Sequence, residues 1–147
     1  MEKKEEKSVG ALETAESQVK VFEILSEEEQ VTLLKDTIVQ LREEKKSGES
    51  TVKRLLDTYL TGDSKAISDE LVKQMEETKT NKKLMEKFMK ALLDDRNVTM
   101  AATIEKKLTG AKDKTHFFAV GAAHYTGKTA IQDLLTKSGY TVTPMFK

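Results

Sequence analysis

The sequence contains no cysteine, so it cannot form a disulfide framework, a thiolate nucleophile or a cysteine-based zinc site. No apolar run approaches the roughly 18 residues that a membrane-spanning helix needs, and no signal-type segment stands at the N-terminus. Lys plus Arg and Asp plus Glu both number 25, so the net charge is zero. A neutral chain offers no overall attraction to nucleic acid or to an anionic membrane. We therefore expect a soluble chain with no nucleic-acid partner and no membrane span.

The length and the absence of internal divisions predict a single domain over residues 1–147. A chain of 147 residues can bury roughly 70% of the surface that its unfolded form exposes, which is enough for one core. No internal repeat or low-complexity linker divides it. Residues 1–8 begin with the charged, apolar-poor stretch "MEKKEEK" and are predicted to be a disordered lead-in.

Residues 14–110 have apolar residues at helical spacing and few turn-forming residues, which predicts a long helical region. Ser26 followed by Glu29 predicts a capping box at the start of a helix that ends near "KSGES". One apolar stripe runs along that helix and consists of Val31, Leu34, Ile38 and Leu41. The apolar pattern of residues 84–108 allows either one long helix or two helices that meet near "DDRN".

Three short stretches outside this helical region predict β-strands. Residues 9–12 are a short apolar stretch, residues 116–120 form the apolar run "HFFAV", and residues 140–145 alternate in character. An amphipathic helix is predicted between the last two strands, and such strand–helix–strand units usually form right-handed parallel crossovers. We therefore predict an α/β fold: a small, mostly parallel sheet of about three strands, with a long helical insertion between the first strand and the C-terminal strand–helix–strand unit.

The loop "GAAHYTGKT" after the second predicted strand allows two interpretations. A phosphate-binding P-loop has the spacing G-x-x-x-x-G-K-S/T, and Gly127, Lys128 and Thr129 supply the end of that pattern. The first glycine of the pattern is missing, because Ala122 occupies the required position and Gly121 lies one residue too early. A nucleotide site therefore receives little support from the spacing.

The second interpretation is a Gly-x-x-His turn. Gly121 would let the backbone bend where the strand ends, Gly127 would close the turn, and His124 would project as a ligand, base or hydrogen-bond donor. Ligands of α/β folds lie beyond the carboxyl ends of the strands, where both Glu13 and His124 are predicted. A solvent-facing histidine without any function is the alternative for His124.

Three stretches of the sequence resemble the carboxy-terminal half of the TraB/PrgY/GumN family, in the same order. They are "VGALETAESQVKVFEILSEEEQVTLL", "LLDDRNVTMAATIEKKL" and "HFFAVGAAHYTGKTAIQDLLTKSGYTVTP". This family is similar to the Tiki proteases and, more distantly, to the ChaN and erythromycin esterase proteins. The resemblance implies an α/β fold with a helical insertion and, in the Tiki branch, a metal-dependent peptide hydrolase activity. The positions that match the family motifs are Glu13, Gln18, Arg96, Asn97, Gly121 and His124.

The resemblance makes Glu13, Arg96 and His124 the candidate catalytic residues, with Gln18 and Asn97 in supporting roles. Glu13 and His124 are the candidate ligands of a divalent metal, Zn²⁺ or Mn²⁺, and the Arg96 guanidinium would stabilise an oxyanion or orient a carboxylate. Each also has a simpler explanation. Glu13 could stabilise the start of the following helix, and Arg96 could form intrahelical pairs with its acidic neighbours.

The earlier Gly-x-x-His motif of the family has no counterpart in this sequence, so we expect a truncated family domain. A catalytic zinc takes about three protein ligands. Glu13 and His124 supply two, and His116 is predicted at the opposite end of the sheet. The chain is therefore expected to be the C-terminal part of a metal-dependent, peptidase-like hydrolase that is incomplete as an enzyme in this form.

Two expectations about partners follow. The helical region could instead make the chain a peptide-binding, protein-binding or inhibitory module, because the resemblance extends to pheromone shutdown proteins. Unpaired sheet edges favour pairing with another chain, which predicts a homo-oligomer that domain swapping could form. The resemblance further suggests a bacterial parent protein that is secreted or anchored in a membrane.

Overall fold

A computed structural model of the chain describes residues 7–145. Within these residues there are seven α-helices: α1 (Ala15–Glu23), α2 (Glu27–Ser47), α3 (Thr51–Leu60), α4 (Ser64–Glu77), α5 (Lys82–Met89), α6 (Asp95–Gly110) and α7 (Ile131–Lys137). A π-helical turn, Lys90–Asp94, joins α5 to α6, and a 3₁₀ turn, Ala122–Tyr125, precedes α7. Most of the predicted lead-in, residues 1–8, lies outside the described residues; Lys7 and Ser8 are exposed.

Side-chain caps explain where several helices begin. The predicted capping box of α2 is confirmed: the Ser26 hydroxyl accepts from the Glu29 N–H at 3.2 Å, and the Glu29 carboxylate accepts from the Ser26 N–H at 2.8 Å. This reciprocal pair satisfies two backbone donors that the first turn would otherwise leave free. The helix ends at Gly48, whose φ of +76° is a left-handed conformation that favours glycine.

The segment from α5 to α6 is one continuous rod that contains a change of register. The Asp95 N–H donates to the Lys90 carbonyl, which is the i to i−5 bond of a π turn. The sequence predicted either one long helix or two helices for this region. The structure has two α-helices that the π turn joins without a break. Arg96 and Asn97 follow directly after the π turn, so the turn sets the direction in which both side chains leave the helix.

The core lies where α6 meets α7. Met100, Ile104 and Ile131 are buried together. Around them pack the partly buried residues Leu12, Leu108, Phe118, Val120 and Leu135. Helices α6 and α7, the segment around Leu12 and the segment around Phe118 therefore share one apolar cluster.

The predicted α/β fold is wrong for the described residues. Residues 7–145 contain no strand and no sheet. The three stretches predicted as strands lack a regular element, although Phe118 and Val120 pack inward while Phe117 remains 91% exposed. A strand requires a neighbouring backbone for its hydrogen bonds. An alternation of apolar and polar residues indicates only which side chains are covered. The long helical region, by contrast, is helical from Ala15 to Gly110 with short breaks.

None of the helices described between residues 7 and 145 has the length and apolar character needed to pass through a bilayer.

We expect Ile104→Ala to lower the free energy of unfolding by about 2 to 5 kcal/mol, because it removes buried methyl groups and leaves a cavity in the core. Ile104 is 3% exposed. Val98→Ala is the matched control, since Val98 lies on the same helix and is 54% exposed. Urea unfolding followed by circular dichroism measures both. Equal losses in the two variants would contradict the position of the core.

Candidate functional site

A buried hydrogen bond between Asn97 and His124 is the centre of the candidate site. The His124 Nδ1–H donates to Asn97 Oδ1 at 2.6 Å. Asn97 is 1% exposed and His124 is 8% exposed. An amide oxygen can only accept, so this bond places the imidazole proton on Nδ1 and leaves the lone pair of Nε2 for another group. The His124 ring is thereby oriented and held in one tautomer, which is what a base or a metal ligand requires.

The Asn97 side chain also carries an unused donor. Its Nδ2 is buried and has no hydrogen-bond partner among the described residues. Buried polar groups of folded proteins are nearly always paired. Asn97 Nδ2 is therefore available to donate to a water molecule or to a bound group.

Glu13 and Arg96 form a bidentate ion pair beside this bond. Arg96 Nε donates to Glu13 Oε1 at 2.9 Å, and Arg96 Nη2 donates to Glu13 Oε2 at 2.8 Å. The Arg96 Nη1 donates to the Leu92 carbonyl at 3.1 Å, within the π turn. The side chains of Arg96 and Glu13 are 20% and 7% exposed. The fork geometry matches the carboxylate and fixes both groups.

The charges of the ion pair act on His124. Burial lowers the pKa of His124 below its ordinary range, the Arg96 charge lowers the pKa further, and the Glu13 charge opposes both. The hydrogen bonds from Arg96 lower the pKa of Glu13, and the bond with Glu13 raises the pKa of Arg96. At neutral pH the site therefore holds a neutral imidazole next to a neutralised pair of opposite charges.

The loop that carries His124 is shaped by its own hydrogen bonds. The Gly121 carbonyl accepts from the His124 N–H at 3.0 Å, which closes the 3₁₀ turn. Gly121 has a φ of −63°, which any residue can adopt. Gly127 has a φ of +78°, a left-handed conformation that favours glycine. The Thr129 hydroxyl donates to the Asp94 carboxylate and ties the loop to the π turn. No sequence signal pointed to this last bond, because it joins a loop residue to a helical residue 35 positions earlier in the chain.

The residues predicted for the site fall into two groups. Glu13, Arg96, Asn97 and His124 are brought together, and the hydrogen bonds above connect them in two pairs. Gln18 is exposed on α1, and its side chain makes no hydrogen bond within residues 7–145.

Two other features take no part in this arrangement. The His116 Nε2–H donates to the Ala111 carbonyl at 3.1 Å, and the His116 ring stacks on Phe118. Lys128 and Thr129 precede α7 rather than opening it. The geometry therefore gives no support to the P-loop interpretation.

The described residues do not form a complete metal centre. No group of three or more histidine, aspartate or glutamate side chains within residues 7–145 lies close enough to hold an ion. His124 Nε2 is a suitable donor, but both oxygens of Glu13 are engaged by Arg96. This part of the chain can supply one ready ligand, and a second only if Glu13 leaves Arg96.

A groove adjoins the loop that carries His124. It has a volume of about 300 Å³ and opens between α4, the end of α5 and the loop at Thr126 and Gly127. Its apolar lining consists of Leu71, Val72, Met75, Met89 and Leu93. An open, mostly apolar groove beside a polar site is a usual setting for a bound side chain of a ligand.

Comparison with known proteins identifies the family of this chain. A model of the TraB/PrgY/gumN family matches residues 2–144, so the chain belongs to the TraB/PrgY/gumN family. No solved structure matches the chain significantly.

Three curated relatives are similar to nearly the whole chain. They are the Metalloprotease TIKI homolog of Nematostella vectensis at 27% identity, the Metalloprotease TIKI2 of Xenopus tropicalis at 29% and the Metalloprotease TIKI1 of Danio rerio at 27%. Each similarity covers 92% of this chain, but only 32%, 29% and 30% of the respective relative. The chain therefore spans about a third of the length of these relatives.

We expect the pKa of His124 in the folded chain to lie below the ordinary value of about 6.5, and Arg96→Gln to raise it. The substitution removes a nearby positive charge and leaves the Glu13 charge, which favours the protonated ring. NMR titration of the imidazole signals measures both values, and His116→Gln assigns the two histidines. Arg54→Gln is the matched control, because Arg54 is also ion-paired but contacts Glu70 and Glu77. An unchanged His124 pKa in Arg96→Gln would contradict the coupling.

Proposed function

We propose that this chain supplies part of the active site of a metal-dependent hydrolase that acts on peptides or proteins. The observation that carries the proposal is the Asn97–His124 hydrogen bond, which leaves Nε2 of the buried imidazole unprotonated. Membership of the TraB/PrgY/gumN family supports it, as do relatives that are named metalloproteases.

In this proposal His124 has the central role. Its Nε2 either accepts a proton from the attacking water or binds the metal, and its lowered pKa keeps the lone pair available at neutral pH. Asn97 holds the ring in position, and its free Nδ2 donates to the substrate or to a water molecule. Arg96 stabilises the negative charge that develops during hydrolysis, and Glu13 positions the guanidinium.

Zn²⁺ or Mn²⁺ is the proposed metal, with His124 as one ligand; Glu13 is a candidate second ligand only if it releases Arg96, and it then no longer positions the guanidinium. A bound divalent ion would polarise the scissile carbonyl or activate water. Two donors are fewer than the roughly three protein ligands of a catalytic zinc. We therefore propose that residues 7–145 need further ligands from outside this range, and that the chain alone is an inefficient enzyme.

A second candidate function is a peptide-binding or inhibitory module. The groove lined by α4 and α5 favours it, because it offers apolar surface of the size of one or two side chains without needing a metal. In either function the partner is a peptide or protein. The homo-oligomer predicted from unpaired sheet edges, with domain swapping as a route to it, loses that basis, because the described residues contain no sheet.

We expect calorimetric titration with Zn²⁺ or Mn²⁺ to detect one weak site that His124→Ala abolishes, because the imidazole is the one ligand already oriented. His116→Ala should retain the site, since His116 is engaged with Ala111 and Phe118. Glu13→Ala should weaken metal binding relative to the unmodified chain, because Glu13 is the candidate second ligand. Circular dichroism checks that each variant is folded. An absence of binding to the unmodified chain would contradict the metal assignment, and efficient metal-dependent peptide hydrolysis by the purified chain would contradict its incompleteness.

For the second candidate function, we expect a fluorescent extended peptide rich in leucine to bind the chain in anisotropy measurements without metal. Val72→Lys should weaken this binding about tenfold or more by placing a charge in the groove. Val98→Lys is the matched control, because Val98 is equally exposed, 54% against 52%, but does not line the groove. Equal effects of the two substitutions would rule out the groove as the binding surface.

A further inference from the structure

Helix α2 carries most of its apolar residues on the outside of the molecule, and only Leu33 among them is half-buried. Val31, Leu34, Ile38 and Leu41 are 48%, 60%, 39% and 55% exposed. The half-buried positions of the same helix include the polar residues Asp36, Gln40 and Glu44. No residue of this 21-residue helix is buried. A helix normally turns its apolar stripe toward the core, so α2 is oriented opposite to expectation.

These four exposed apolar residues have the spacing of a coiled-coil seam. Their separations of three, four and three residues place Val31 and Ile38 at a positions and Leu34 and Leu41 at d positions of two heptads. In parallel coiled coils, β-branched residues at a and leucine at d favour two strands over three or four, and here the direction of the helices is decided by the charges around the seam. The seam is continuous over about 15 Å of helix. We call these four residues the α2 seam.

We propose that the α2 seam binds the α2 seam of a second copy of this chain, with the two helices antiparallel. In this arrangement Val31 of each copy packs against Leu41 of the other, and Leu34 packs against Ile38. All four side chains of both copies then find apolar cover. The proposal is independent of the hydrolase assignment, because the α2 seam shares no residue with the candidate site.

The charges around the α2 seam select the antiparallel direction. The same register places Glu27 of one copy opposite Lys45 of the other, and Glu28 opposite Arg42, so that the symmetric dimer gains four pairs of opposite charge. All four residues are exposed, and none forms an ion pair within the described part of the chain. A parallel arrangement would instead bring Glu27 against Glu27 and Lys45 against Lys45.

One feature of the antiparallel register opposes association. Lys35 lies at an e position near the two-fold axis and meets Lys35 of the second copy. This side chain is exposed and long, so its charge can stay in water. The dimer therefore has one repulsive Lys35 pair and four attractive pairs, so the antiparallel form is still favoured.

Sedimentation of the full chain over a wide concentration range tests the dimer. We expect a monomer–dimer equilibrium that Leu34→Lys abolishes, because it puts a charge in the seam. Val39→Lys is the matched control: Val39 is an exposed apolar residue of the same helix, 39% exposed, but lies off the seam. A chain that stays monomeric at every concentration, or equal effects of the two substitutions, would overturn the proposal.

A charge exchange tests the direction of the helices. Glu28→Arg and Arg42→Glu should each weaken dimerisation roughly tenfold, since each creates two like-charge contacts. The double variant should recover the dimer, and a mixture of the two single variants should form a heterodimer in which both contacts are attractive. Lys46→Glu, off the seam, should have little effect. A dimer that is insensitive to Glu28→Arg and Arg42→Glu would overturn the antiparallel register.

Discussion

Two consecutive residues, Arg96 and Asn97, hold the candidate site together, because each binds a segment that is distant in the sequence. Arg96 binds Glu13, which lies 83 residues away in the sequence, and Asn97 binds His124, 27 residues away. Neither long-range contact would form if α6 began one residue earlier or later, because successive side chains leave a helix about 100° apart. The π turn at Lys90–Asp94 fixes this register, and π turns inside helices are frequent at functional sites.

The two contacts differ in what their loss would do. The Glu13–Arg96 pair combines charge with two hydrogen bonds, so removal of one partner leaves a nearly buried charge without compensation. The Asn97–His124 bond is neutral, and its value lies in orienting the ring and fixing its proton. The ion pair therefore secures the position of the N-terminal segment, whereas the amide–imidazole bond determines the chemistry that His124 can perform.

Local features of the fold could be predicted from the sequence, and contacts between distant segments could not. The capping box at Ser26 and the end of α2 at Gly48 depend on a few adjacent residues, and both are present. The predicted strands failed, because a strand depends on a second backbone that no local pattern specifies. The stripe on α2 was located correctly but proved to be exposed: periodicity shows which side chains would benefit from cover, and it does not identify what covers them. At the site, the family motifs indicated Glu13, Arg96, Asn97 and His124, but only the structure pairs them.

The pairing has a consequence for the response of the chain to acid. The folded pKa values of both His124 and Glu13 are lowered, so in the acidic range the unfolded chain binds more protons than the folded chain. The contribution of His124 begins to fall as the pH drops through the ordinary histidine value of about 6.5, and that of Glu13 follows below the ordinary glutamate value of about 4.3. Protonation of His124 occupies Nε2 and leaves the Nδ1–H bond to Asn97 intact. The lone pair on which the proposed chemistry depends is therefore lost first, while the bond that orients the ring persists.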